Sequence, residues 1–80
     1  MLCVLAGRGR YAGGVYREPG PDGGPPAEIE LESPRRFART DPRLGDVYEV
    51  HVAVWRRAGT TRDGEPQYVH DRTYLAERTD

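Results

Sequence analysis

The 80-residue chain predicts one mainly β domain: a small antiparallel barrel or curled sheet of the SH3-like or OB-like kind, with about five strands and one short helix near residues 34–39. Three observations carry that expectation. Residues 46–57 and 67–77 both alternate with period two and flank an Asp63-Gly64 turn signal. Ten Gly and seven Pro in so short a chain favour short strands joined by tight turns. Hydrophobic content is only 36%, so the core is thin, and oligomerisation is a common remedy. A three-stranded sheet behind a disordered Gly/Pro-rich front is the runner-up.

Met1 to Ala6 is a continuous apolar run, too short for a stable helix and stopped by Gly7. It predicts a central or doubly covered strand. Gly7 to Gly14 is Gly-rich, but no helix can follow it before Pro19-Gly20-Pro21, so a nucleotide-phosphate loop is disfavoured. A turn or bulge leading into a second strand, roughly Tyr11 to Glu18, fits better, with Gly13-Gly14 as a kink. The Arg8-Gly-Arg10 pair is one copy of a short RNA-binding pattern and carries little weight. Residues 19–26 read as a flexible Gly/Pro-rich loop.

Ala27 to Glu32 alternates cleanly, with Ala27, Ile29 and Leu31 inward and Glu28, Glu30 and Glu32 outward, which suggests a solvated edge strand. Three carboxylates in line along a strand lack the clustering that a metal needs, so no metal or cofactor is expected. Ser33-Pro34 offers a helix N-cap and first turn for residues 34–39, with Phe37 and Ala38 plugging one end of the barrel. Arg35, Arg36, Arg39 and Arg43 form the most basic segment, able to meet phosphate or an acidic partner. A solvated face is the plainer account of them.

The hairpin closes the chain. With Asp63-Gly64 as its central pair, Trp55 falls opposite Arg72, and Val52 opposite Leu75. Val50, Val52, Val54, Val69 and Leu75 then face the core. His51, Trp55, Arg57, Tyr68, His70, Arg72 and Tyr74 share the other face. Three roles suit that face: a second buried layer or subunit interface, ordinary cross-strand pairing with Trp55–Arg72 as a cation–π pair, or a platform for planar ligands and unpaired bases. A wider loop, edged by Gly59 and Pro66, would need a bulge to hold the faces in phase.

The formal net charge of −1 argues against a general affinity for nucleic-acid backbone. All twelve basic residues are Arg, a bias that codon usage in a GC-rich bacterial genome would produce. The single Cys3 excludes an intramolecular disulfide and fits a reducing cytosol. The N-terminal apolar run is too short for a signal peptide, and no stretch approaches a membrane span, so a cytoplasmic location is expected. His70 and Asp71 are neighbours on a strand and point apart, and Cys3 sits in an apolar run, so catalysis is disfavoured.

The leading expectation is therefore a small cytosolic interaction module. It would self-associate or bind a protein partner through the aromatic face of the hairpin. The alternative is a module for single-stranded nucleic acid on the same face. A small enzyme ranks last.

Overall fold

The computed structural model describes residues 1–7 and 13–79. The fold is mainly β, one mixed sheet of six strands, and the described residues contain no helix. The strands are β1 (Leu2–Ala6), β2 (Gly13–Tyr16), β3 (Glu28–Glu32), β4 (Arg36–Asp41), β5 (Gly45–Thr60) and β6 (Pro66–Thr79). The order across the sheet is β2-β1-β6-β5-β3, with β4 also on β5. The expected features at residues 8–12 lie outside the described residues.

β3 and β4 run end to end along one side of β5, both antiparallel to it. The break between them falls at Pro34, which has no N–H to contribute to a ladder. Ser33 closes the gap: its N–H donates to the carbonyl of His51 at 2.9 Å, and its hydroxyl accepts from the N–H of His51 at 2.9 Å. β5 returns as β6 through the long hairpin. The β1–β2 hairpin then joins the start of β6, with β1 parallel to β6 over Val4↔Gln67 to Ala6↔Val69. β1 therefore has a neighbour on each side, as its apolar run implies.

The expected helix at 34–39 is corrected to strand β4. A segment this short gains helix only from packing, whereas the first half of β5 offers it a ready ladder. Ser33 caps a strand amide in place of a helix N-terminus. Phe37 is 56% exposed and plugs nothing; it meets Tyr48 edge-on, with ring centroids 6.0 Å apart.

Of the expected antiparallel barrel or curled sheet, the barrel and the purely antiparallel pairing are corrected. The sheet is mixed and open, but it curls. Flat, β2 and β3 would lie four strand spacings apart, about 19 Å, too far for one side chain to span. Yet Arg17, just past β2, donates from Nη2 to the carbonyl of Glu30 in β3 at 3.3 Å. The connector between these strands crosses the mouth of the curl, where Pro26 accepts a hydrogen bond from the hydroxyl of buried Tyr68. Closure fails because β1 covers β6 only as far as Val69, and the rest of the hairpin runs on beyond the curl. The molecule spans 51 × 29 × 16 Å. Its radius of gyration is 15.3 Å, where a compact chain of this length would give about 12 Å.

The core fills the curl. Cys3, Leu5, Ile29, Ala53, Trp55 and Tyr68 are all at most 5% exposed and pack together, with Val15 and Leu31 against them. Ala27, expected inward, is exposed.

Candidate interaction surface

The hairpin register decides where the aromatic residues go. The turn is wider than two residues. Thr61 donates to Glu65 at 2.7 Å, and the N–H of Gly64 donates to Thr61 at 3.0 Å. Gly64 takes φ +85°, a conformation that costs a side chain about 1 kcal/mol or more. The outermost pair is Thr60↔Pro66, and the ladder shifts between Arg57 and Thr60 and again between Val54 and Trp55. At the second shift β6 carries one extra residue, Asp71, so that Val54 opposes Arg72 while the next residue, Trp55, opposes His70.

That bulge sorts the aromatic set onto two faces. His51, Trp55, Arg57, Tyr68 and His70 face the inside of the curl. Arg72 and Tyr74 face the outside. The expected Trp55–Arg72 pair is replaced by Trp55–His70, rings 5.5 Å apart and inclined at 73°. Trp55 and Tyr68 are core residues, 5% and 0% exposed. Burial, with Cys3 alongside, pushes the Tyr68 phenol up to about 12. Leu75, expected in the core, is 56% exposed, on the inner face opposite His51.

Val50, Val52 and Val54 point to the outer face but are no more than 2% exposed. Side chains from the flanking strands reach over β5 above them. Tyr74 on β6 donates to Glu30 on β3 at 3.3 Å, and their opposing positions, Val52 and Val54, place this bond over β5. Arg78 holds Glu32 through Nε at 2.7 Å and Nη2 at 2.6 Å across the stretch containing Val50. On the opposite face, Arg39 of β4 clasps Glu77 of β6 across Val47, which is fully buried. The Glu residues of β3, expected to face water, thus supply part of this cover.

Two of the expected basic residues, Arg39 and Arg72, are engaged in ion pairs. Arg39 is bound to Glu77, whose carboxyl it holds below the usual range; the hydrogen bond also raises the guanidinium. Arg72 is bound to Asp71 at 2.6 Å and raised by it. Arg36 stands opposite Glu49 and is exposed. Arg43 lies in the β4–β5 turn, where its N–H and that of Leu44 donate to Asp41 at 2.8 and 3.0 Å, lowering that carboxyl. Arg35, next to Arg36 in sequence, is exposed. Among the described residues, no three His, Cys, Asp or Glu are grouped as a metal site would require, and no helix is long and apolar enough to cross a membrane.

The feature missed in sequence is the outer edge of β6. Among the described residues, β1 alone pairs there, and only over residues 67–69. The backbone of His51 and Arg57 bonds toward Ser33 and Ala27, so odd-numbered residues of β5 face β3 and even-numbered ones face β6. Val50, Val52 and Val54 thus share hydrogen bonds with Ala76, Tyr74 and Arg72, following their register. It follows that Thr73, Leu75, Glu77 and Thr79 aim their N–H and C=O groups outward. The signal was arithmetic: a five-residue strand cannot cover a fourteen-residue one.

Edges are normally guarded by charge. Here Glu77 and Arg78 are drawn back over the sheet by Arg39 and Glu32. Thr73, Tyr74, Leu75 and Ala76 on that edge are uncharged, and Thr73 and Tyr74 are strand-favouring types. Comparison with protein-family models, curated proteins and solved structures found no match.

Proposed function

We propose that this chain is a small interaction module that works by strand addition at the outer edge of β6, Thr73 to Thr79. The supporting observation is the row of outward backbone groups on that edge, beside exposed Leu75 and without a guarding charge at residues 73–76. An extended chain laid there gains main-chain hydrogen bonds, and alternate side chains supply selectivity. The aromatic face contributes less than its sequence suggests, because Trp55 and Tyr68 are committed to the core. A reducing cytosol suits its lone buried thiol.

Selection from displayed random peptides tests this. Leu75→Pro removes one outward N–H without touching the β5–β6 ladder, because Pro is tolerated at an edge. Enriched β-prone sequences that hold the wild type and lose the variant are expected. Equal enrichment on both proteins, or none on either, would count against the reading.

A nucleic-acid role has weaker support. Two of its stacking rings are buried, and Arg39 and Arg72 already hold carboxylates. A salt-sensitive shift on titrating single strands would restore it.

A further inference from the structure

We infer that the occupant of the β6 edge is a second copy of this chain, the two β6 strands pairing antiparallel about a two-fold axis at Ala76; this rests on the strand-addition reading above. Register favours that occupant. A two-fold axis that makes two edge strands antiparallel stands perpendicular to the sheet. Each residue must then oppose one from its own face, and the axis passes through a residue.

The uncharged stretch offers four centres. Centred on Thr73, the bulge at Asp71 falls opposite Leu75 and interrupts the ladder. Centred on Tyr74, Asp71 falls near Glu77 of the second copy, like against like. Centred on Leu75, Arg72 opposes Arg78, and only residues 73, 75 and 77 find outward-facing partners. Centred on Ala76, Thr73 opposes Thr79, Tyr74 opposes Arg78, and Leu75 opposes Glu77. All four outward-facing residues, 73, 75, 77 and 79, then exchange hydrogen bonds with their counterparts. No like charges meet between residues 73 and 79, and the Arg78–Glu32 clasp keeps that guanidinium back from the junction. Tyr74 is 40% exposed and Leu75 56%, so both have surface left to cover. The union makes one continuous sheet through both hairpins, which removes the undefended edge.

The register names its own probe. Ala76 meets its own copy at a position without hydrogen bonds, where Cα atoms approach to about 4.5 Å and a cross-strand disulfide fits. Cys3 is buried and does not compete. Ala76→Cys is expected to cross-link on mild oxidation to twice the monomer mass, faster than Leu75→Cys. Sedimentation of the wild type should show a monomer–dimer equilibrium that Leu75→Pro abolishes and Leu75→Thr, which keeps the N–H, retains. Faster cross-linking at Leu75 would overturn the register. A dimer that survives Leu75→Pro would overturn the interface. Wild-type monomer at every concentration, together with edge-dependent peptide selection, would overturn the second copy as occupant and leave the proposed function standing. Monomer without any selected peptide would remove both.

Discussion

Arg39 and Glu77 face each other across β5, with guanidinium nitrogens 3.1 and 2.8 Å from the two carboxylate oxygens. Thirty-eight residues separate them in sequence. Each is about half exposed, so the pair belongs to the class whose stabilisation is modest and screened by salt. Its fork geometry nevertheless holds two side chains over Val47.

Glu77 is held below the ordinary glutamate range by that hydrogen bond. A carboxyl depressed in the folded state adds stability above its unfolded value, and this contribution is lost as pH falls through the folded one. The fold should therefore weaken in the acid range below the free glutamate value. Arg39→Gln should raise the Glu77 pKa in an NMR titration and flatten that part of the stability profile. An unchanged Glu77 titration would show that the clasp does not persist in solution.

Trp55 should emit blue-shifted fluorescence, poorly quenched by acrylamide, at every protein concentration, because its burial needs no second molecule. Trp55→Ala should cost about 3–5 kcal/mol, enough to unfold a domain this small; Trp55→Phe should cost less. Emission that reddens on dilution would contradict a core placement within one chain.

Tyr68 holds its proton to about 12, against an ordinary 10.0. A phenol raised in the folded state contributes in full below its unfolded value, and the contribution fades as pH rises toward the folded one. Stability should fall between those two values. Tyrosinate absorbance should show one residue of the five ionising only with unfolding. Tyr68→Phe removes the tether to Pro26 at a cost of about 0.5–1.5 kcal/mol, and should remove that alkaline step.

Gly64→Ala should destabilise the hairpin turn by about 1–2 kcal/mol, since its φ of +85° crowds any Cβ against the backbone. There is open space at that position, so the cost is conformational and not a clash. Denaturant titration should give a lower midpoint at unchanged slope. An equal midpoint would mean that the turn rearranges at no cost.

The strand character of five segments, the central place of Leu2–Ala6, the edge role of Glu28–Glu32 and the long hairpin were all legible in the chain, because period-two alternation and Gly/Pro punctuation act locally. Three things were not. Arg36–Asp41 carries weak preferences, and only the open side of β5 made it a strand. The face of Trp55 turned on a single inserted residue, Asp71, and a one-residue slip reverses every side chain beyond it. The burial of Val50, Val52 and Val54 depended on Tyr74 and Arg78 meeting carboxylates more than forty residues away. Local alternation and Gly/Pro punctuation set which segments extend and where they turn. Tertiary structure alone decided which face is core and which edge is left open, since register and curl arise between strands and no single strand encodes them.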